Sequence, residues 1–500
     1  MDNPRVARCA GSDEGGPVAS GRLMPRPWPT TEPTAAHRAA YADAKVASFW
    51  LDDLPPREAH PPPAGVAEAD LVIVGGGFTG LWAALHAKRD APGRDVVVLE
   101  ADVVGGGASG RNGGFMVASL THGLWNGLAR FEDEMRVLER LAFENFAGIQ
   151  SDLSSHGIDA ELELTGELGV ALEPHEVEGA EEEAALMREY GHDVVVLDRD
   201  AMQAEVASPT YLGGVWDRNG GGLVHPGKLA DGLRAAAVRA GVRIFEHAPA
   251  TALRAEGRSG AVTVSTPGGA VRAARVLLAT SAYPSLLSRL SHYVVPVYDY
   301  VLVSEPLSAA QKSAIGWQNR QGIGDGGNQF HYYRQTADDR ILWGGYDAVY
   351  RRGGPVGAQY DDHDPTFAAL SQHFFTTFPQ LEGLRFTHRW GGAIDTCSRF
   401  SVFFGTAHAG RVAYATGYTG LGVAATRFGA QIGLDLLDGR ETEATRLKYV
   451  RSKPVPFPPE PLRSAVITLT QRELSRADRN AGHRGLWLRT LDRLGLGFDS

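Results

Sequence analysis

Apolar and polar positions along this chain change period several times, and the changes mark its elements. Leu71-Val72-Ile73-Val74 is an unbroken apolar run of high strand propensity, and a helical pattern opens behind it at Phe78, Leu81, Trp82 and Leu85. A second run, Asp95-Val96-Val97-Val98-Leu99, predicts another buried strand. Helical spacing recurs over residues 34–50 (Ala39, Tyr41, Val46, Phe49, Trp50), over 133–150 (Met135, Leu138, Leu141, Phe146, Ile149) and after Pro226 (Leu229, Leu233, Ala236, Ala237). Residues 161–164, 169–172 and 242–245 read as short strands. Residues 262–265 and 270–272 read as a hairpin around Gly268-Gly269, and 275–280 as a separate buried strand. From Pro296 onward, strands near 297–303, 330–334 and 341–345 follow without intervening helices, which indicates an antiparallel sheet. A last short strand at 412–416 runs through glycines into a helix carrying Val423, Phe428, Ile432 and Leu436.

Glycine placement adds chemistry to the first of these units. Gly75, Gly77 and Gly80 occupy the G-x-G-x-x-G positions between strand and helix, with Phe78 and Thr79 inside the motif. The first glycine permits the tight turn, the second lets backbone approach a pyrophosphate, and the third lets the helix lie close to the strand. The helix N-terminus attracts the phosphate charge. Glu100, at the end of the second strand, can accept hydrogen bonds from a ribose diol. Strand, motif, helix, strand and acid in this order predict a dinucleotide site. A second glycine run, Val104 to Phe115, carries Ser109, Arg111, Asn112, Gly113 and Gly114, and its bare backbone can lie against a flat or charged ligand. The third, Gly417-Tyr418-Thr419-Gly420-Leu421-Gly422, opens the last helix, whose N-terminus suits developing negative charge.

Composition narrows the class. Apolar content of 43% and charged content of 22% are ordinary for a soluble globular chain, and 500 residues suffice for two intimately built domains. The formal charge of −10 argues against a nucleic-acid partner and against adsorption to anionic lipid. Two cysteines, Cys9 and Cys397, leave no disulfide framework and fit a reducing compartment; neither has metal-ligand spacing to a histidine, so no metal is expected. No apolar run approaches the roughly 20 residues that cross a bilayer, and a cytoplasmic location is the expectation. Residues 1–33 lack periodicity and are expected to be disordered, with Met24 as an alternative start. After prolines 454, 456, 458, 459 and 461, leucines interleave with arginines up to Arg493. Such a basic amphipathic segment can lie on a membrane, but the acidity of the rest of the chain favours docking on its own protein.

The pairing of V-x-V-G-G-G-F-T-G-L with E-A-x-x-x-G-x-G-A-S-G-R-N-G-G-F resembles the FAD-dependent oxidoreductases of the D-amino-acid oxidase superfamily, and within it the gamma-glutamylputrescine oxidoreductase branch. The resemblance implies a Rossmann-like FAD-binding domain, an α/β unit with a parallel sheet, interleaved with an antiparallel-sheet substrate domain. The FAD-binding domain would take residues 66–155, 225–290 and 389–440, and the substrate domain 156–224 and 291–388. Residues 34–65 would form an N-terminal helix and linker, and 441–500 a proline-rich linker and basic helix. It further implies that Arg111, Asn112, Gly113 and Gly114 contact the flavin, that Ala250 contacts the adenine, and that Ala279 and Thr280 belong to a strand ending at the cofactor. Ser281 and Leu421 stand where the family usually has glycine and histidine. His225, before Pro226, is either a helix-entry residue or a substrate-side catalytic group. Relatives that bind flavin covalently carry a cysteine that would fall near Gly391 or Gly392, so non-covalent FAD is expected. Amino-acid-specific relatives carry an arginine after the second glycine run; Gly113-Gly114-Phe115-Met116 has none, which points to an amine without an α-carboxylate unless Arg334 or Arg399 compensates. The implied reaction is amine oxidation to an imine and then an aldehyde, with oxygen or another acceptor reoxidising the cofactor. An amino-acid oxidase or dehydrogenase, or a non-catalytic dinucleotide-binding protein, are the alternatives.

Overall fold

The computed structural model describes residues 27–497. Two sheets dominate. The eight-stranded sheet is built around Gly65–Val74, which pairs in parallel with Val96–Leu99 on one side and Gly269–Leu278 on the other. Arg243–Phe245 extends it beyond Val96–Leu99, and Val412–Thr416 lies parallel to the end of Gly269–Leu278. Both faces of this sheet are covered, which is why Leu71 to Val74 is apolar throughout. Leu71 and Ile73 join a core with the helices Phe78–Asp90, Met135–His156, Pro226–Arg239 and Gly422–Asp438, while Val72 and Val74 join the opposite core with Val262, Val264, Val271 and Phe403. The alternate residues point to opposite faces because the strand period is two.

The ten-stranded sheet is mostly antiparallel. Its long central strands are Val295–Ser304 and Phe386–Thr396, followed by Ile341–Gly345, His331–Gln335, Gly322–Asp325, Glu167–Ala171 and Gly213–Asp217. Tyr298, Tyr300, Leu302, Tyr333 and Trp343 pack on one face with Phe367, Leu370 and Phe374 of the helix Asp364–Thr377. Val295, Val297, Asp299 and Tyr332 lie on the opposite face and look into a large cavity.

Several expectations need correction. Residues 34–50 are two short helices, Ala35–Tyr41 and Phe49–Asp52, separated by the strand Lys45–Val46, which pairs with Phe386–Thr396. Residues 161–164 make one isolated bridge, Glu163 to Leu223, and no strand. Residues 270–272 and 275–278 fall in one ten-residue strand, Gly269–Leu278, whose first half closes the hairpin and whose second half enters the parallel core, and the strand stops before Ala279 and Thr280. Phe386–Thr396 belongs whole to the ten-stranded sheet, so the chain returns to the eight-stranded sheet at Phe403 rather than at 389. Expected disorder over 1–33, Met24 and Cys9 lie largely outside the described residues; within them, Trp28 is buried against His331 and His373, with ring centroids 4.6 and 4.8 Å apart.

The tail folds back. Leu462–Asp478 and Leu486–Arg493 pack on each other, with Trp487 Nε1 donating to Thr470 Oγ1 at 3.0 Å. The Asp478 carboxylate is buried and accepts from the backbone N–H groups of Asn328 (3.0 Å) and Gln329 (2.9 Å). Ser398 Oγ donates to the Val455 carbonyl, and Phe457 N–H to that of His292. Among the described residues, no helix is long and apolar enough to cross a membrane.

Candidate active site

A cavity of about 1050 Å³ runs between the two sheets, larger than most small-molecule pockets at roughly 300–1,000 Å³. One end is backbone. Gly75, Gly77, Phe78, Thr79 and Glu100 line it, together with Ser109, Ala250, Ala279 and Thr280. Gly75 holds φ +113°, and a Cβ there would overlap the Ala279 carbonyl. Gly80 does not line the cavity: a Cβ on it would overlap the Gly75 carbonyl oxygen, so its role is the close seating of helix on turn. The helix Phe78–Asp90 has no cap from Gly77 itself, and its first turn lines the cavity with the positive end of its dipole, the Phe78 N–H alone being taken up by Ser109 Oγ. Glu100 accepts from Gly76 N–H at 2.7 Å and Asp102 N–H at 3.0 Å, and burial raises its pKa against those bonds.

The second glycine run is held by its own side chains. Ser109 Oγ accepts from Phe78 N–H at 2.9 Å. Asn112 Nδ2 donates to the carbonyls of Ala108 and Ser109, and its Oδ1 accepts from Gly114 N–H. Arg111 donates to the Gly106 carbonyl and to Asp361 at 2.6 Å. Arg111, Asn112 and Gly113 line the cavity. Gly114 does not, since it packs against Val224 and Arg334. From outside, Ser48 Oγ donates to the Gly110 carbonyl and Trp50 Nε1 to that of Asn112, so the N-terminal helices clamp this loop.

The third run completes the backbone end. Tyr418, Thr419, Gly420, Leu421 and Gly422 line the cavity, and the helix Gly422–Asp438 also starts without a side-chain cap. Gly417 sits behind them at φ +85°, its N–H donating to Asp395 at 2.6 Å. Thr79 Oγ1 donates to the Tyr418 hydroxyl at 2.9 Å, which ties the first motif to the third. Two helix N-termini, a carboxylate at a strand end and three glycine turns on one cavity fit a dinucleotide whose pyrophosphate would lie at one helix and whose electron-rich ring edge would lie at the other. Ser281 takes the left-handed conformation usually left to glycine, with φ 48°.

His225 is not brought to the cavity. It is the N-cap of Pro226–Arg239, its Nδ1 accepting from Lys228 N–H at 3.1 Å, and its ring is buried edge-on to Trp50. Of the two readings of His225, the structure supports the helix-entry one, as a cap, and not a substrate-side catalytic group. Arg334 and Arg399, the two arginines able to compensate for a missing carboxylate anchor, are also elsewhere. Arg334 is buried, donating to the carbonyls of Val224 and Gln335; Arg399 donates to those of Ser401, Tyr449 and Ser452. The thiol of Cys397 is buried and bonded to the Ser401 and Gly417 carbonyls, while Gly392 lines the cavity.

The other end of the cavity is side chain. Phe115, Val117, His122, Glu167, Asn328, Phe330, Tyr332, Tyr346 and Asp299 face it, and Val466, Ile467, Leu488 and Leu491 of the C-terminal helices roof it. Burial raises the Asp299 carboxyl to about 6 although the Tyr332 hydroxyl and the N–H of Tyr300 donate to it. Burial lowers His122 to about 4, so its imidazole is neutral. Burial and the neighbouring Asp217 raise Glu167 to about 7. Periodicity had offered the aromatics only as a group; strand phase separates Tyr332, in the cavity, from Tyr333, in the core. Nothing local to His122 or Glu167 marked them.

The family described as DAO, FAD dependent oxidoreductase, matches residues 70–435. The chain belongs to that family. The gamma-glutamylputrescine oxidoreductase of Escherichia coli is 33% identical over 78% of this chain and 88% of its own length, and the probable oxidoreductase OrdL of Haemophilus influenzae is 29% identical over 79% and 88%. The glycine oxidase of Geobacillus kaustophilus superposes with TM-score 0.63 over 77% of this chain and 99% of its own, at 20% identity. As a DAO-family member the chain is an FAD-dependent oxidoreductase acting on CH–NH or CH–NH2 groups, with FAD bound non-covalently, and the reading as a non-catalytic binding protein falls away. The family match ends at 435, so the roof helices lie outside it.

Proposed function

We propose that this DAO-family enzyme oxidises a primary or secondary amine with no carboxylate on the carbon bearing the reacting nitrogen, gamma-glutamylputrescine or a related amine, to an imine that hydrolyses to an aldehyde and the free amine or ammonia. The observation that carries this reading is the charge of the side-chain end. Among the described residues lining the cavity the arginines are Arg111, paired with Asp361, and Arg484 on the roof, paired with Asp492 at 2.9 Å. Glu167, Asp299 and Asp347 line the same cavity, beside the rings of Phe115, Phe330, Tyr332 and Tyr346. Carboxylates and ring faces attract an ammonium group, and an α-carboxylate entering there would meet like charge.

When bound, FAD would supply the two-electron acceptor for the hydride released by the carbon next to nitrogen, with oxygen or another acceptor reoxidising it. The residues of the chain do the rest. Gly75 to Thr79, Glu100 and the turn before Gly422 would hold the cofactor along its length. Phe115 and Tyr332, in edge contact with centroids 5.7 Å apart, would bound the space for the carbon chain, and the apolar roof would exclude water. Neutral His122 and Asp299, with its raised pKa, are the groups able to take the proton that the substrate ammonium must lose before oxidation. Steady-state turnover of amines against sarcosine, glycine and D-amino acids tests the reading: efficient amine turnover supports it, and a preference for the amino acids overturns it.

A further inference from the structure

Glu167 stands out among the ionisable groups of the cavity because nothing among the described residues satisfies it. It lies on the strand Glu167–Ala171, directly opposite Asp217 on Gly213–Asp217 and beside Gly322 on the other flank. A Cβ on Gly322 would enter the ring of Phe115, and one on Gly324 would come within 3.9 Å of the Glu167 carboxyl, so small residues clear the space on that side. Glu167 is half-buried and lines the cavity. Its carboxyl has no hydrogen-bond donor among the described residues, and the charged neighbour that acts on it, Asp217, has the same sign.

The carboxylates behind it are provided for. Asp217 lies 2.7 Å from His192 Nδ1 and accepts from Gly220 N–H at 3.1 Å, and His192 Nε2 is 3.4 Å from Glu139. Burial alone would lower His192, but the two carboxylates raise it to about 9 and keep it cationic. One imidazolium thus serves Asp217 and Glu139, and Glu167, when ionised, carries a negative charge that no group among the described residues neutralises. Buried charges without a partner are costly, and a cavity wall can keep one for a ligand that brings the opposite charge.

We propose that Glu167 is a specificity-determining residue that receives a second, permanently protonated nitrogen of the substrate, remote from the carbon that is oxidised. The reacting nitrogen must be neutral for its carbon to release hydride, and His122 and Asp299 are the groups able to take its proton. Glu167 therefore suits a nitrogen that keeps its charge throughout the reaction, with Phe115 and Tyr332 offering ring surface to the methylene chain between the two. The substrates so favoured are α,ω-diamines and amines bearing a distal ammonium group. This rests on the amine reading above.

The experiment compares putrescine and cadaverine with butylamine and pentylamine on the holoenzyme and on its Glu167→Gln and Glu167→Asp variants, with FAD content and melting temperature recorded for each. Wild type is expected to favour the diamine over the monoamine of equal length by at least about tenfold in kcat/KM, mostly through KM. Glu167→Gln should bring that preference to within about threefold with the diamine KM raised, and Glu167→Asp should restore part of it. A diamine preference unchanged in a folded, FAD-replete Glu167→Gln enzyme overturns the assignment, as does a wild type that turns over both series equally well. Wild-type enzyme that oxidises amino acids and no amine of either series overturns the amine reading and this assignment with it.

Discussion

Glu246 and Glu167 are two enclosed carboxylates in opposite halves of one molecule, and they have opposite surroundings. Glu246, on the cofactor side, is fully buried and saturated: Arg57 donates to both oxygens at 2.8 and 2.5 Å, and the N–H groups of His60 and Val104 complete the shell. Burial would raise its pKa, but these donors bring it down to about 2. Glu167, on the substrate side, has no donor among the described residues and is raised to about 7. The cofactor half is finished without help from substrate, held by backbone turns and paired charges. The substrate half is left electrostatically incomplete, as binding sites generally are.

The largest expected effect comes from the backbone half. Gly80→Val puts branched carbon into the Gly75 carbonyl, and the purified variant should carry no FAD by absorbance; a yellow, active Gly80→Val enzyme would break the claim that this turn is fixed by backbone contact. Next is Arg57→Ala, which strands the Glu246 carboxylate and should cost about 3–5 kcal/mol in denaturant unfolding near neutral pH. Its pH dependence has a definite sign. A folded pKa of about 2 against an ordinary 4.5 means that the unfolded chain binds the proton more tightly. The stabilisation is therefore complete above about 5 and is lost as pH falls toward 2, so the variant and wild type should converge in acid.

Glu167→Gln should act in the other direction. The folded carboxyl is raised, so its ionisation opposes folding as pH rises from 4.5 through 7. Replacement with glutamine should stabilise substrate-free enzyme by roughly 2–3 kcal/mol at pH 8 and by less than about 1 at pH 5. Equal melting shifts at the two pH values would show that Glu167 is satisfied after all. The smallest effect belongs to the roof. Asp478→Ala removes the acceptor for Asn328 and Gln329, and about 1–2 kcal/mol of docking energy should be lost. The readout is a several-fold rise in amine KM with FAD content unchanged; loss of FAD instead would place the roof in the cofactor half.

The same contrast explains what could be read from the sequence. Cofactor-side features were legible because backbone sterics demand particular residue types at particular spacings: Gly75 needs its φ, Gly80 needs its bare Cα, and Leu71 to Val74 must be apolar on both faces. Glu100 follows at the expected strand end. Gly114 and Gly417 were read as contacts and are supports, since a glycine that meets protein looks the same in sequence as one that meets ligand. Substrate-side residues have no such grammar. Glu167 is one glutamate among many until strand pairing sets it opposite Asp217, and His225 looked eligible until its ring proved to cap a helix under Trp50. Docking of the C-terminal segment on its own protein is legible from charge, but where either terminal segment docks is not. One clamps the second glycine loop through Ser48 and Trp50, and the other closes the cavity through Leu488 and Leu491.

The most direct test of the central claim is anaerobic mixing of the FAD-loaded enzyme with matched amines and amino acids while the flavin absorbance is followed. The account predicts rapid bleaching by amines without an α-carboxylate, fastest for those with a distal ammonium group, and slow or no bleaching by glycine, sarcosine and D-amino acids. Rapid bleaching by the amino acids with none by the amines would contradict it.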